Sequence, residues 1–536
     1  MICELRDNKW LWLTHITDPE DQIIWNEFSV ASPNAYVDVM TASWDGIYRK
    51  YNRFRKRLAR PLLSQLRGVC QKHDLPLEVV DSRGPWQYAV TDPETIGPDF
   101  LHGVTLEDYQ IRAIQKCCKT ECGIIEMPTG AGKTEAICGV CKAIECPTLI
   151  LADMKVVIDQ IKSRLELRDV QSEVGLFYAG KRPNGQTVVV GSVQSLMLPK
   201  LGQKPVRSSE EKESVFKGRM TKWERSVQNY KARVRTVKAL KPYVDNAQML
   251  IIDECDLAVS DFYKKLLKGK YNGRRRYGFS ATPFDDAKPV EKMVLQEHLG
   301  SIIVRETRDV VMQQNRIIPC HYKMLAFGLE GHIDNAATYD SAYNDWIIQN
   351  SSFHKLVVGL CAKYPQDCTL ILVDRTALGE RLAEALSMNK VAAQFIHGQT
   401  SKKKRAEALK KFESREINVL IGGKIINRGL DLSGGCENLI LASSKQVRAD
   451  LMQKVGRAFR RNKQGFSRVY DFYFRCNRYL YKHSRNRLKT MVAEGFDVKV
   501  VFPGGIIDGK ELIESKFRIS KKLLTRRVDP SQGKLF

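Results

Sequence analysis

No apolar run in the 536 residues approaches the roughly 20 that a membrane-spanning helix needs. The first twenty residues (MICELRDNKWLWLTHITDPE) lack the order of a signal peptide. The fourteen cysteines lack the regular spacing of a disulfide scaffold, and a chain this long needs no staples, so a reducing cytosol is expected. The one Cys-x-x-Cys, Cys138 to Cys141, has Cys117, Cys118, Cys122 and Cys146 near it in sequence. Zinc or an iron–sulfur cluster is one reading. Packing is preferred, because Cys138 and Cys141 fall at i and i+3 of a segment that reads as a core helix. Acid is in deficit: 61 Asp and Glu face 86 Lys and Arg, a net +25. That imbalance points to a polyanionic partner, and without an amphipathic anchor nucleic acid comes before a membrane surface. With 43% hydrophobic residues, wholesale disorder is excluded.

What is present divides the chain into four parts. Residues 1–96 read as a small α+β domain, with strands at 23–30, 36–40 and 47–54 around a Trp44-Asp45-Gly46 turn. A helix at 61–72 and a strand at 77–80 follow, and then a polar linker, TDPETIGPDF, at 91–100. From 101 to 330, short apolar strands (GIIEM, PTLILA, TVVVGS, MLIID, RYGFSA) alternate with helical stretches, the pattern of a buried parallel sheet. A second such series (TLILVD, AQFIH, NVLIGG, NLILA, SRVYDFYF) fills 331–504, and 505–536 is a basic tail with a helix expected at 510–525. Two α/β halves predict a bilobal machine with a cleft. An insertion at about 200–246 spaces Phe216, Met220, Trp223, Val227, Tyr230, Val234 and Val237 by 4-3-4-3-4-3, a 3.5-residue period that predicts a helix pairing along a narrow seam.

The chemistry starts at Met127-Pro128-Thr129-Gly130-Ala131-Gly132-Lys133-Thr134, directly after the strand GIIEM and opening a helix. In that context Thr129, Gly130, Ala131 and Gly132 let backbone N–H groups wrap a phosphate chain. Lys133 reaches the terminal phosphates and Thr134 holds Mg²⁺. A second apolar strand ends in Asp253-Glu254-Cys255-Asp256. Adjacent carboxylates there suit metal coordination by Asp253 and water activation by Glu254. A third stretch, QKVGRAFRR from Gln453, puts Arg457 and Arg460 at i and i+3 of a helix. Arginines of a second lobe that reach a γ-phosphate would make hydrolysis depend on lobe closure.

In this order the motifs resemble those of superfamily 2 helicases and translocases over roughly 105–475. MPTGAGKT resembles motif I, VVVGSVQSL (188–196) motif Ib, DECD motif II, SATP (280–283) motif III, NRGLDL (427–432) motif V and QKVGRAFR motif VI. The resemblance implies two tandem RecA-like parallel-sheet lobes of the P-loop NTPase kind, with ATP and Mg²⁺ as cofactors. It further implies adenine reading by Tyr109 and Gln110, and coupling of hydrolysis to lobe movement through Ser280 and Thr282. Gly429 and Asp431 would meet nucleotide and strand, Gln453 would open motif VI, and Gly191, Ser192 and Gln194 would lie along a nucleic-acid backbone. Val373-Asp374-Arg375 sits where motif IV is expected.

Within that superfamily the chain is similar to the bacteriophage recombination helicases of the UvsW group, which share a small N-terminal domain with a Trp-Asp-Gly turn. The group ends motif II in His, where Asp256 stands here as in DEAD-box enzymes, and the insertion before motif II is not part of its pattern. Gln453 follows the DExH group. The resemblance implies an ATP-dependent DNA helicase or translocase acting on forks, junctions or R-loops in recombination, repair or replication. It would be a monomer in the cytoplasm (the host's, for a phage-encoded chain), with single-stranded and branched DNA, and RNA in hybrids, as partners. The alternatives are an RNA helicase, the motor of a restriction system (though no nuclease-like or methyltransferase-like segment accompanies it), and a strand-annealing or bridging protein with a nucleotide switch.

Two further segments read as nucleic-acid contacts. Between Ile47 and Arg60 lie seven basic residues and no acid, among them Arg49, Lys50 and Arg53, interleaved with aromatics, which suits phosphate contacts with base stacking or a wedge at a junction. The insertion, at +8 with Trp223 in its seam, reads as a grip on duplex ahead of the motor. Residues 331–504 carry +13 and the tail +4, whereas 1–96 and 97–199 are each near −1.

Overall fold

The computed structural model describes residues 1–32, 45–199, 201–208, 211–284, 288–314, 317–328, 338–423 and 435–519. The chain divides into two units: residues 1–306 apart from the loop 128–131, and the remainder. Among the described residues no helix is long and apolar enough to cross a membrane.

The first unit begins with a four-stranded sheet in the order Arg57–Ala59, Trp10–Thr14, Ile2–Leu5, Glu78–Asp81. Alternation sets its register: Cys3, Leu5, Leu11 and Leu13 point inward onto Ile24, Phe28, Leu62 and Leu66 of the covering helices. The strand expected at 23–30 is instead the helix Asp18–Glu27. The β-branched pair Ile23-Ile24 suggests a strand, but Thr17-Asp18-Pro19-Glu20 is a helix start. Pro19 lies in the first turn, and the Glu20 carboxylate accepts from the Thr17 backbone N–H at 2.8 Å. Gly46 takes φ +73° as its turn requires. Trp44 and the strand expected at 36–40 lie outside the described residues.

Beyond 91 comes a seven-stranded parallel sheet in the order Gly175–Phe177, Val188–Ser192, Thr148–Ala152, Met249–Asp253, Arg275–Ser280, Cys122–Glu126, Ile302–Arg305. Helices on both faces explain why these strands read as continuous apolar runs: all five residues of Thr148–Ala152 are buried. Cys138 and Cys141 are buried on the helix Lys133–Ala143. The insertion forms one 34-residue helix, Glu213–Asn246, about 50 Å long at 1.5 Å per residue. Among the described residues no second long helix runs along its seam. Part of the segment 201–208 runs along it instead, tied by Trp223 Nε1 to the Gly202 carbonyl at 3.0 Å and by Arg219 to the Val206 carbonyl at 3.0 Å. Near its C-terminal end Leu240 and Val244 are buried in the core of the lobe, with Tyr243 packed against it.

The second unit holds an eight-stranded sheet in the order Ala393–Ile396, Val419–Gly422, Thr369–Val373, Asn438–Ala442, Ser467–Phe474, Cys320–Phe327, Val498–Phe502, Gly505–Asp508. All its pairings are parallel except the last. The sheet therefore claims residues on both sides of the expected 331–504. Cys320–Phe327 joins it by eight paired positions, so the lobe begins before 320 rather than at 331. Gly505–Asp508 pairs with Val498–Phe502, so 505–514 belongs to the lobe rather than to a tail. The expected helix at 510–525 is Gly509–Glu514, capped by the Asp508 carboxylate, and residues from 520 lie outside the described ones.

Candidate active site

The carboxyl ends of three adjacent strands of the first lobe bring motifs I, II and III together. Cys122–Glu126 pairs with Arg275–Ser280, which pairs with Met249–Asp253, so Glu126 stands beside Ser280 and Phe279 beside Asp253. After Glu126 the Met127 N–H donates to the Ser280 carbonyl at 3.0 Å, which extends the pairing one residue before the loop leaves the sheet. The Ala131 N–H closes a turn on the Pro128 carbonyl at 3.2 Å. Gly130 and Gly132 have φ +90° and +76°, and Gly132 caps the helix Lys133–Ala143. A Cβ on Gly132 would also lie 2.4 Å from Gln110 Nε2 and would push that amide aside.

Gln110 is tied to this loop. Its Oε1 accepts from the Glu107 N–H at 3.0 Å, capping the helix Asp108–Lys119, and its Nε2 donates to the Gly132 carbonyl at 3.3 Å. Tyr109 is fully buried. Gln110 therefore braces the loop from behind.

Lys133 Nζ stands 3.7 Å from a Glu254 carboxylate oxygen, and Glu254 takes φ +50° at the turn out of its strand. Burial and the neighbouring Glu254 push the Asp253 carboxyl up to about 7 against the pull of Lys133. A buried acid held this way gains from a hard cation. Asp253 with the Thr134 hydroxyl is an oxygen donor set that fits Mg²⁺, which when bound neutralises charge on phosphate oxygens. Asp256 is likewise raised to about 7, by burial and then by Glu254. It accepts from Ser280 Oγ at 3.2 Å, and Ser280 Oγ in turn accepts from the Thr282 N–H at 3.2 Å. Motif III is thus latched to the last residue of motif II. An aspartate at 256 provides an acceptor for that hydroxyl.

In the second lobe Gln453 lies on the helix Arg448–Val455, with its Oε1 buried and without a hydrogen-bond partner among the described residues. The helix ends before the two arginines. Arg457, Ala458 and Phe459 continue in tight turns whose N–H groups bond three residues back. Between them and Gln453, Lys454 is buried in ion pairs with Asp374 at 2.8 Å and Asp450 at 2.9 Å. It fastens motif VI to the expected motif IV strip, a role its sequence position did not signal. Gly429 and Asp431 lie outside the described residues.

The expected nucleic-acid contacts fare unevenly. Gly191 and Ser192 end the strand Val188–Ser192, and Gln194 bonds both Ser192 Oγ and Asp153, an acid at the mouth of the next strand. Sequence reasoning passed over Asp153, though an acid directly after an apolar strand was its signal. In the N-terminal strip, Arg49 pairs with Asp45 at 2.5 Å and stacks 4.8 Å from Trp25. Lys50 is buried against Glu297 at 2.6 Å, and Arg53 and Lys56 hold Asp21 at 2.5 and 2.7 Å. Arg60 reaches Glu121, which also collects Arg83 and Arg274. Although burial pushes the Glu121 carboxyl up, these three guanidinium groups hold it below its ordinary range. Glu121 immediately precedes the motif I strand, so the small domain is pinned to the first lobe. What the strip leaves open is its turn: Phe54 is 95% exposed, and neighbouring Arg55 has no carboxylate partner among the described residues.

Comparison with known proteins agrees with this geometry. Residues 103–285 match the family described as type III restriction enzyme, res subunit, and residues 351–462 match the helicase conserved C-terminal domain. The chain is 28% identical over 235 residues to putative helicase 22 of Sulfolobus islandicus filamentous virus (isolate Iceland/Hveragerdi), covering 41% of each protein. It is 34% identical over 91 residues to the DEAD-box ATP-dependent RNA helicase CshA of Bacillus subtilis (strain 168), covering 17% of this chain and 18% of that one. These matches span about two-fifths of the length of the first relative and about one-fifth of the second. Among solved structures, the crystal structure of T4 UvsW aligns over 93% of this chain and 98% of that chain, at 15% identity and a TM-score of 0.43. Two tandem parallel-sheet lobes, one matched by each family and together carrying phosphate-loop, acidic and arginine motifs in helicase order, make this chain a member of the superfamily 2 helicases, enzymes that hydrolyse ATP to do work on nucleic acid.

Proposed function

We propose that the chain is an ATP-driven DNA helicase or translocase that remodels branched DNA such as forks, four-way junctions and R-loops. The observation that carries the motor half of this reading is the joined mouth of three strands, with Lys133 facing Glu254 and Ser280 latched to Asp256. In this reading Lys133 binds the terminal phosphates, Thr134 and Asp253 hold Mg²⁺, Glu254 activates water, and Arg457 and Arg460 stabilise the charge that develops on the transferred phosphoryl group. The choice of DNA is supported by the first lobe's match to a restriction-enzyme subunit. The exposed Phe54, flanked by arginines on a turn of the small domain, suits a wedge that stacks on an unpaired base.

An RNA substrate is the second reading. Motif II spelled Asp-Glu-Cys-Asp and the match to an RNA helicase over 91 residues favour it. A bridging protein with a nucleotide switch is disfavoured, since it needs neither Glu254 nor the arginines.

ATP turnover measured against single strands, duplex, fork, four-way junction, R-loop and RNA decides among them. Branched DNA should stimulate most, and a chain stimulated by RNA alone would end the DNA reading. Glu254→Gln should lower turnover by about 10³-fold or more while ATP still binds. Undiminished hydrolysis would remove Glu254 from the mechanism.

A further inference from the structure

The helix Arg478–Ala493 of the second lobe borders a cleft of about 620 Å³ whose walls include Arg478, Tyr481, Lys482, Arg485, Lys489 and Phe517. The four basic residues are spaced 4-3-4, which places them on one face of the helix over about 16 Å. No acid occurs between residues 475 and 489, and none of the four pairs with a carboxylate among the described residues. Like charges three and four residues apart repel along a helix, and a bound anion relieves that repulsion.

The arms are held in place. Phe517 is buried beneath them, with the Arg485 guanidinium 3.9 Å and Lys489 Nζ 5.5 Å from its ring centre. A guanidinium stacked on a ring keeps its N–H groups in plane, free for the forked bonding that phosphate oxygens accept. The helix starts four residues after the strand Ser467–Phe474, at the carboxyl end of a parallel sheet, where α/β folds bind ligands. One residue of the same helix shows the alternative. Arg487 turns inward to a bidentate pair with Asp471, both bonds 2.9 Å, and is buried.

We propose that this cleft is a seat for the phosphodiester backbone of a nucleic-acid strand, separate from the nucleotide site. A row of cations repeated on successive helical turns matches charge repeated along a strand better than it matches a lone ion. The proposal rests on the helicase reading only for the class of polyanion.

The test is the full-length Arg478→Ala, Lys482→Ala, Lys489→Ala variant, with Arg485 left to keep Phe517 packed. Binding to fluorescent single-stranded DNA and RNA oligonucleotides is followed through a salt series. Affinity for both should fall about tenfold near 0.1 M salt, and the plot of log affinity against log salt should become shallower by about 2. Melting temperature and the ATPase rate without nucleic acid should not change. Unchanged affinity and slope would overturn the seat. So would an equal loss in Lys403→Ala, Lys404→Ala, Lys410→Ala, which removes the same charge from exposed positions on the helix Lys402–Glu413. Weakened binding of tripolyphosphate with oligonucleotide binding intact would make the cleft a small-anion site and overturn it equally. Full oligonucleotide affinity with no stimulation of ATPase in the parent protein would sink the motor reading and leave the seat standing.

Discussion

Two basic stretches of this chain invite the same reading and have different surroundings. Ile47–Arg60 has seven basic residues and no acid, and Arg475–Lys489 has six and no acid. In the first, five of the seven cations find carboxylates from elsewhere in the chain: Asp45, Glu297, Asp21 twice, and Glu121. A sixth, Arg57, lies 4.0 Å over Trp10. In the second, Arg487 is buried against an acid, and the other five cations line an open cleft. Local charge therefore does not measure available charge. The acids that neutralise the first stretch mostly lie tens to hundreds of residues away, and only folding brings them up.

The largest expected effect comes from the one cation that breaks the pattern of the second stretch. Arg487→Ala leaves Asp471 buried, with Tyr322 as its remaining side-chain donor, and should lower the unfolding free energy by about 4 kcal/mol in a urea titration. Pairing it with Asp471→Leu should restore much of the loss. If Arg487→Ala were as silent as an exposed lysine, the division of this helix into a buried and an open face would fail.

The interface that holds the first stretch should be sensitive to pH. Burial lowers His298, beside Glu297, from 6.5 to about 4, and its Nδ1 is 2.8 Å from the Ala258 carbonyl. The folded protein then binds fewer protons than the unfolded chain between pH 6.5 and 4. The stability contributed by neutral His298 is complete above 6.5, drains as pH falls through that window, and levels off below 4. At 1.36 kcal/mol per unit the loss is up to about 3 kcal/mol. His298→Gln should remove this component from the curve of stability against pH. Parallel curves for the two proteins would show that the histidine is not held neutral.

A smaller loss, about 2 kcal/mol, is expected for Lys50→Met, because Glu297 keeps Lys268 at 2.9 Å. Nucleic-acid affinity should change less than about twofold, below 0.4 kcal/mol. A large loss of affinity with stability intact would return Lys50 to the strip read from sequence. At the small end, replacing Arg478 or Lys482 singly should move stability by less than about 0.5 kcal/mol, as for exposed groups that pair with no carboxylate among the described residues.

The nucleotide site was legible because its chemistry is local. A phosphate loop needs glycines with positive φ between a strand and a helix, and Gly130 and Gly132 carry that requirement in adjacent letters. The acids of motif II sit at the end of an apolar strand for the same reason. Where readings missed, distant partners decided. Ile23-Ile24 looked like strand until the Thr17-to-Glu20 start was given a sheet to pack on. The seam of the long helix predicted a partner helix, but a strap of the same insertion lies along part of it. The lobe boundary at 331 missed Cys320–Phe327, because a strand that pairs with residues about 147 positions later leaves no mark in its own sequence.

The sequence by itself determined the two parallel sheets, the order of the motifs and the phosphate-binding loop, since buried strands and turn glycines are dictated by neighbours along the chain. The tertiary structure alone decided which cations are neutralised, that Asp256 latches Ser280, that Lys454 fastens motif VI to Asp374, and that Arg478, Lys482, Arg485 and Lys489 line a cleft. Those outcomes depend on distance in space between groups far apart in sequence, and electrostatic energy follows that distance.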